Sequence, residues 1–142
     1  MKIKKLNRTE LNDRLDEFIQ ILRGNSNEYW GKEHFLKDFD EKWKYSLYVE
    51  DKQKVVGYII ASKKKENIHI HKFMIHNKYR SQGIGYELLK TFEDLCARSQ
   101  ESLIKLKVYN KNKLAIKFYL KNGFKGEENL KGDLLTMYKK IR

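Results

Sequence analysis

Two glycines within residues 80–85 (Arg-Ser-Gln-Gly-Ile-Gly) mark the part of the sequence best suited to bind a ligand. Glycine allows a positive φ and lets the backbone approach a bound group closely. The segment leads directly into a helical pattern. The first N–H groups of a helix have no intrahelical partner, and the helix dipole favours negative charge there. Residues 80–85 therefore predict an anion-binding site, and the expected ligand is a phosphate or a pyrophosphate.

Two histidines stand on the strand that leads to this loop, and their side chains could move a proton near neutral pH. His71 lies nine residues before Arg80 and is the candidate base, acting directly or through a water molecule. His69 shares its strand face by the two-residue period and could act instead. Both could equally be half-exposed strand residues with no chemical role. The four histidines lie at no metal-ligand spacing from cysteine or acidic residues, so no metal is expected.

The elements that position these residues alternate between strand and helix patterns. Strands are expected at residues 2–6, 45–50, 54–62, 68–76, 103–109, 124–128 and 134–141, and helices at 10–23, 34–43, 84–99 and 113–121. The strand at 68–76, the helix at 84–99 and the strand at 103–109 form a βαβ unit, so its two strands should be parallel neighbours. We expect residues 1–142 to form one α/β (α+β) domain with a mixed sheet of about seven strands and four helices.

Composition narrows the class of protein. The chain has 142 residues, 40% of them hydrophobic, which suits one domain with a real core. It has no apolar run of about 18 residues and no hydrophobic leader after Met1. Cys96 is the single cysteine, so no intrachain disulfide can form. We therefore expect a cytoplasmic protein with no membrane segment.

The formal net charge of +12 favours an anionic ligand, an acidic substrate or nucleic acid. The lysines that supply most of it are scattered along nearly the whole chain, a pattern typical of a solvated surface. No zinc-ligand spacing, arginine-rich arm or RNA-binding aromatic motif accompanies the charge, so we do not expect nucleic acid to be the partner.

Two motifs resemble those of the GNAT N-acetyltransferase superfamily. Residues 79–85, followed by Leu88 and Leu89, match its R/Q-x-x-G-x-G/A loop, and residues 112–124 match its N-x-x-A-x-x-F-Y-x-x-x-G-F segment. The expected order of elements also fits that family along nearly the whole chain. The resemblance implies a GNAT-like fold in which the two central parallel strands splay apart, and it implies acetyl-CoA as the cosubstrate.

The resemblance also assigns residues to acetyl-CoA. Backbone amides of the glycine loop would bind the pyrophosphate, and the pantetheine arm would lie in the gap beside the strand at 68–76 like an added strand. An amide freed by a bulge in that strand, with Met74 as the first choice, would polarise the thioester carbonyl. The implied cofactor-binding residues are Phe73, Met74, Ile75, Arg80, Ser81, Gln82, Gly83, Ile84, Gly85 and Asn112.

Acetyl transfer to an amine needs a neutral amine, a hydrogen-bond donor to the carbonyl oxygen and a proton for the departing thiolate. Tyr119 matches the tyrosine of the family's F-Y pair, and its phenol is protonated at neutral pH and could donate that proton. It could instead be an ordinary helix-face aromatic. Tyr29 and Trp30 lie in a polar loop that often borders the acceptor pocket in this family. They are either substrate-binding residues or a seal on the core.

These observations predict an acetyl-CoA-dependent N-acetyltransferase that acetylates a primary amine, of a small molecule, by direct attack. A protein or peptide acceptor is the alternative among enzymes. A non-catalytic acyl-CoA-binding module or a basic nucleic-acid-binding module is the alternative of a different class. A homodimer is a further expectation, because the final strands could present an exposed sheet edge.

Overall fold

The computed structural model describes residues 1–24, 29–127 and 132–141. Its strands are β1 (Lys2–Lys5), β2 (Leu47–Asp51), β3 (Lys54–Lys64), β4 (Asn67–Ile75), β5 (Leu103–Tyr109), β6 (Lys125–Gly126) and β7 (Leu134–Lys140). Its α-helices are α1 (Arg8–Asp13), α2 (Leu15–Arg23), α3 (Lys32–Leu36), α4 (Lys42–Tyr45), α5 (Ile84–Arg98) and α6 (Lys113–Lys121). A short 3-10 turn at Asn77–Tyr79 joins β4 to the loop before α5.

The strands form one sheet in the order β1-β2-β3-β4-β5-β7-β6, with β4 and β5 as the parallel pair at its centre. The other described neighbours pair antiparallel. α5 is the crossover between β4 and β5, as the βαβ pattern predicted. The mixed sheet of seven strands confirms the expected fold class.

The two parallel strands stay together over only three residue pairs. Residues 68–70 pair with residues 104–106, and no further pair forms between the described residues of the two strands. Their carboxyl ends, residues 71–75 and 107–109, therefore diverge and leave a gap in the middle of the sheet. This gap is the splay that the sequence predicted.

Helices cover the two faces of the sheet separately. α5 packs on one face, where its buried residues include Leu88, Phe92 and Cys96. α1, α2 and α3 pack on the other face around Phe18 and Phe35, and α4 adds Trp43 to that face while its Tyr45 lies in the core under α5. Cys96 is therefore a core residue, as expected of a buried cysteine that behaves as a small apolar side chain.

A β-bulge interrupts β4 just where it leaves β5. Ile70 lies opposite Ala61 of β3, whereas Lys72 lies opposite the preceding residue, Ile60, so His71 is an extra residue in the ladder. The extra residue shifts the alternation of side chains. His71 and Lys72 consequently both turn toward the face that carries α1–α4.

The helix expected at residues 10–23 is two helices. It stops at Asp13 and restarts at Leu15, because Arg14 leaves the helical conformation with φ −116° and ψ 20°. The Arg14 guanidinium forms an ion pair with Glu50 of β2, which ties the break to the sheet. Helical periodicity alone does not reveal this tertiary contact.

The helix expected at residues 34–43 is also divided, into α3 and α4. Lys37 is extended and Glu41 has a left-handed φ of 55°, so the chain between them cannot continue a helix. At the other end of the chain, the strand expected at 124–128 is reduced to β6, and residue 128 lies outside the described residues. The longest described helix, α5, has 15 residues, and none of the described helices is both long and apolar enough to cross a membrane.

Candidate active site

The gap between β4 and β5 opens into a cleft of about 1390 Å3. The cleft extends from the bulge of β4 to the loop before α5, and β5 and α6 form its opposite wall. Most of the residues that the sequence predicted for the site line it: His71, Phe73, Met74, Ile75, Arg80, Ser81, Gly83, Gly85, Asn112 and Tyr119. Two motifs that are distant in sequence therefore meet at one cavity.

The loop before α5 has the backbone form that an anion site requires. Gly83 is the N-cap residue of α5 with a φ of 82°, and Ser81 has a φ of 63°. Among the described residues, no atom beyond the chain neighbours of Gly83 and the backbone of α5 lies within 4 Å of the position that a Cβ on Gly83 would occupy. Glycine is therefore needed here for its conformation, and open space lies in front of the first helical amides, which have no intrahelical partner.

Gln82 and Ile84 differ from their neighbours in this loop. The Gln82 side chain is exposed and donates a hydrogen bond to the carbonyl oxygen of Lys78 at 3.4 Å. The Ile84 side chain is buried in the core beneath α5. Neither residue is among those that line the cleft. Cofactor binding by Gln82 and Ile84 therefore stays a prediction.

The hydrogen-bond ladder between β3 and β4 decides which amides of β4 face the gap. The amide of His76 donates to the carbonyl oxygen of Val56 at 2.8 Å, so it faces β3. Successive amides along a strand alternate between its two edges, and Met74, opposite Tyr58, therefore also faces β3. The amide of Phe73 faces the gap. This geometry contradicts the choice of Met74 as the donor to a carbonyl in the cleft.

Two asparagines belong to the wall of the cleft opposite β4. Asn112 caps α6, because its Oδ1 accepts a hydrogen bond from the amide of Ala115 at 3.2 Å. Asn110, just after β5, has a buried Oδ1 with no hydrogen-bond partner among the described residues. Buried amide oxygens normally have a partner, so the orphaned oxygen indicates a place for a donor of a ligand.

Tyr119 reaches the cleft from α6. Its ring packs against Phe73, Phe118 and Phe124, with centroid distances of 6.2, 5.6 and 5.4 Å. Burial raises the pKa of its phenol well above the ordinary value, so the hydroxyl is protonated at neutral pH. Tyr119 is therefore a core aromatic and a cleft residue at once, and the two alternatives of the sequence analysis do not exclude each other.

His71 lies at the bulge of β4. Its Nε2 shares a hydrogen bond of 2.6 Å with Ser62 Oγ, and its ring stacks on Phe39. Burial, followed by the neighbouring His69 and Lys64, lowers the pKa of His71 to about 3. The imidazole is therefore neutral at physiological pH and can accept a proton, but only as a weak base.

His69 contacts the ring of His71 edge-on, with 4.8 Å between centroids. Burial also lowers the pKa of His69, to about 4. His69 is not among the residues that line the cleft. Of the two histidines, His71 is the one placed to act there.

Tyr29 and Trp30 lie beside the cleft and do not line it. Tyr29 is 69% exposed and contacts the ring of His34 edge-on, whereas Trp30 stacks over His34 and packs on the core beneath α1–α4. Lys72 links them to the cleft: it lines the cleft, and its Nζ lies 5.2 Å from the centroid of the Trp30 ring. Substrate binding by Tyr29 and Trp30 stays a prediction.

Sequence reasoning missed three residues around the bulge, namely Phe39, Ser62 and Lys72. Ser62 follows an apolar strand pattern and Lys72 is the one lysine within the β4 segment, so each left a faint signal. Phe39 left none, because it reaches His71 only through the tertiary fold. Lys72 is 7% exposed, and burial lowers its pKa to about 8.

A buried lysine holds the connection that carries Phe39. The Nζ of Lys42 donates hydrogen bonds to two backbone carbonyls of that connection and of α3, including that of Lys37 at 2.7 Å. The amide of Lys63 in β3 donates to the carbonyl oxygen of Asp40 at 2.8 Å. The segment between α3 and α4 is therefore fixed against the sheet, and Phe39 with it.

The cleft wall carries more positive than negative charge. Its cationic residues are Lys72, Arg80, Lys107, Lys111 and Lys121, and the acidic residue among its described members is Asp133. A positive wall around open helical amides suits a ligand that carries phosphates.

Comparisons with known proteins agree with this geometry. The model of the acetyltransferase (GNAT) family matches residues 15–124. A curated relative from Methanocaldococcus jannaschii, named an uncharacterized N-acetyltransferase, is 26% identical over 152 aligned residues that cover 98% of this chain. The chain spans 66% of that relative's length.

Two solved structures share the fold. The ribosomal-protein-S18-alanine N-acetyltransferase from Escherichia coli has a TM-score of 0.83 at 19% identity, covering 99% of this chain and 93% of that one. The PaiA N-acetyltransferase from Thermoplasma acidophilum, solved in complex with coenzyme A, has a TM-score of 0.83 at 22% identity, covering 98% of both chains. At these identities the likeness is one of fold alone.

Proposed function

This chain belongs to the GNAT acetyltransferase family, and we propose that it transfers an acetyl group from acetyl-CoA to a primary amine. The observation that carries the proposal is the meeting of two features in one cleft, the loop at Gly83 and the phenol of Tyr119 across the gap from β4. The loop offers a site for phosphates. The phenol offers a proton beside the splayed strands.

The residues of the cleft fit acetyl-CoA in charge and in hydrogen-bonding capacity. The open space in front of Gly83 and the first amides of α5 suit the pyrophosphate, and Arg80 and Lys121 add positive charge to the same cleft. The edge of β4 at Phe73 and the orphaned oxygen of Asn110 suit the amide groups of the pantetheine arm. That arm would extend the sheet like an additional strand.

Acetyl-CoA supplies an acetyl thioester, which accepts the amine and releases a thiolate. The amide of Phe73, which faces the gap, would hold the carbonyl oxygen and stabilise the negative charge that develops on it. The hydroxyl of Tyr119 would give its proton to the departing sulfur, because burial keeps the phenol protonated at neutral pH.

The acceptor amine must also lose a proton, and His71 would take it directly or through a water molecule. The neutral imidazole is free to accept a proton at pH 7, since burial lowers its pKa to about 3. The same low pKa makes the imidazole a weak base, and efficient general bases have a pKa near the working pH. We therefore infer a smaller contribution from His71 than from Tyr119.

A small-molecule amine is the acceptor that we infer, and a protein or peptide amine is the alternative. Phe39 covers one face of the His71 ring, which reduces the space for an acceptor beside the imidazole. Lys72 and Lys107 line the cleft where the strands diverge and would repel a polycationic acceptor. These observations favour a compact acceptor of low positive charge.

A thiol-release screen tests the proposal. The purified chain is incubated with acetyl-CoA and pooled small amines, and in parallel with pooled peptides, and mass spectrometry identifies the acetylated product. Amine-dependent release of CoA with the small amines is the expected result. Release with the peptides alone would keep acetyl transfer and overturn the small-molecule acceptor.

Binding measurements beside this screen distinguish the proposed enzyme from proteins of a different functional class. Binding of acetyl-CoA without release in either pool would favour a non-catalytic acyl-CoA-binding module. Salt-dependent binding of nucleic acid, with no thermal shift by acetyl-CoA, would favour a basic nucleic-acid-binding module. Either result would overturn the proposed enzyme.

A further inference from the structure

Lys72 lines the cleft, and its side chain carries a primary amine to the ring of Trp30 beside it. It directly precedes Phe73, the residue whose amide faces the gap, and it follows the bulge at His71. Its Nζ lies 5.2 Å from the centroid of the Trp30 ring, on the same side of the sheet as the His71 ring, which stacks on Phe39. The protein therefore carries a primary amine next to its own candidate active site, on the residue that precedes the Phe73 amide.

We propose that Lys72 is a site of self-acetylation, in which the cleft transfers the acetyl group of bound acetyl-CoA to the Nζ atom of the same chain. The inference rests on the acetyltransferase function proposed above. Lys72 takes the place of the acceptor amine. Acetylation replaces a positive charge in the cleft wall by a neutral amide, and so changes the charge that an incoming acceptor meets.

The step needs no further reactant. A bond forms between Nζ of Lys72 and the acetyl carbon, and the bond between that carbon and the thioester sulfur breaks. The thiolate takes the phenolic proton of Tyr119. The new amide sheds one proton to water, and Tyr119 regains one from water, so that the products are an acetylated lysine and CoA with a free thiol.

The reactive form of Lys72 is well populated, because burial lowers its pKa to about 8. At pH 7 its neutral fraction is roughly 10²-fold larger than that of a lysine with an ordinary pKa. Lys42 is the matched comparison in the same chain: it is 1% exposed, and burial lowers its pKa to about 8 as well. Lys42 does not line the cleft, and its Nζ is bonded to backbone carbonyls. Because the pKa is lowered to about 8 in both lysines, a difference in their acetylation cannot be due to the pKa alone.

The first test is acetylation without an acceptor. The full chain is incubated with acetyl-CoA that carries a deuterated acetyl group, and the labelled lysines are mapped by peptide mass spectrometry. We expect label on Lys72 that saturates with acetyl-CoA, forms at a rate independent of protein concentration and is absent from Lys42. In Tyr119→Phe the rate should fall about 10²-fold. Label spread over exposed lysines, at the same rate in Tyr119→Phe, would overturn the proposal.

The second test needs no turnover. Lysines are labelled with a trace of an amine-reactive ester, with and without desulfo-coenzyme A, which lacks a thiol that could react. We expect the ligand to protect Lys72 severalfold and to leave the buried Lys42 and the exposed Lys125 unchanged. Equal labelling of Lys72 in both samples would place its amine outside the occupied cleft and overturn the proposal.

A third comparison distinguishes this proposal from the proposed function. Lys72→Arg keeps the charge and removes the nucleophile, so it should show a thermal shift with acetyl-CoA and no label at this position. If the wild-type chain acetylates amines while Lys72 stays unlabelled, self-acetylation alone fails. If acetyl-CoA is neither bound nor consumed, the proposed function itself fails.

Discussion

The imidazole of His71 and the ring of Phe39 lie nearly parallel, with centroids 4.2 Å apart and 12° between their planes. The stack joins the connection between α3 and α4 to the bulge of β4. Ser62 of β3 holds the same imidazole through Nε2. Two elements other than its own strand therefore fix the orientation of the candidate base.

Replacing Phe39 by leucine should impair the reaction with the acceptor amine at His71 and leave the binding of acetyl-CoA unchanged. Without the stack His71 is free to turn, and misplacement of a reacting group by about an ångström costs up to about 10²-fold in rate. We expect kcat/KM for the acceptor to fall by about 10-fold or more, with the Kd of acetyl-CoA unchanged. Leu36→Ala, which removes packing of α3 against the core around Phe18 and Phe35, serves as the control. Equal losses in both variants would contradict a role for the stack.

Tyr119→Phe should lower kcat by about 10²-fold, because it removes the proton donor for the departing sulfur. The ring keeps its packing on Phe73, Phe118 and Phe124, so the free energy of unfolding should change by about 1 kcal/mol or less. Steady-state kinetics and urea unfolding measure the two effects. Tyr138→Phe, outside the cleft lining, should keep the wild-type rate. An unchanged kcat in Tyr119→Phe would remove this residue from the mechanism.

The two half-buried histidines, His69 and His71, should make folding sensitive to mild acid. Burial lowers the pKa of His71 to about 3 and that of His69 to about 4, whereas both titrate near 6.5 in the unfolded chain. Between these values the unfolded chain binds more protons than the folded chain, so stability is lost as the pH falls from about 6.5 toward 4.

His71→Gln removes one of these titrations. Urea unfolding near pH 7 and near pH 5 should therefore show a smaller loss of stability in the variant than in the wild type. Carboxylates whose protonation also destabilises the fold in acid are the same in both proteins. The difference between the two losses of stability therefore reports on His71. A loss of equal size in the two proteins would mean that His71 titrates normally in the folded state.

Gly83→Ala should weaken the binding of acetyl-CoA. A side chain at a φ of 82° costs about 1–2 kcal/mol, and the loop can escape this strain by moving the first amides of α5. Gly132→Ala is the control, since Gly132 also has a positive φ, 62°, and open space for a Cβ but does not line the cleft. We expect similar losses of stability in both variants and a higher Kd for acetyl-CoA in Gly83→Ala alone. Isothermal titration calorimetry provides the measurement.

Local sequence patterns were sufficient to predict much of the fold and the loop at residues 80–85 that would bind phosphates. β5 at Leu103–Tyr109 and α6 at Lys113–Lys121 have the predicted bounds, because an alternating strand and a helix capped by Asn112 are both specified by near neighbours in sequence. The glycine loop was recognisable for the same reason.

The rest of the fold and the part of the site around His71 depend on tertiary contacts that local sequence patterns do not encode. The break at Arg14 follows from its ion pair with Glu50, which is distant in sequence. The approach of Phe39 to His71 requires the turn between α3 and α4. The direction of the Met74 amide depends on the register of β4 against β3, and a shift of one residue reverses it.

The three residue pairs between β4 and β5 make up all of the strand pairing that joins two parts of the described sheet. One half comprises β1 to β4 and the other β5, β7 and β6, so the backbone cohesion between them is weakest at the cleft. A ligand that forms hydrogen bonds along the edge of β4 would fill the gap and strengthen the connection between the two parts, as an additional strand would. Slow hydrogen exchange across both halves, and their resistance to separation under force, would then be properties of the complex with acetyl-CoA rather than of the polypeptide alone.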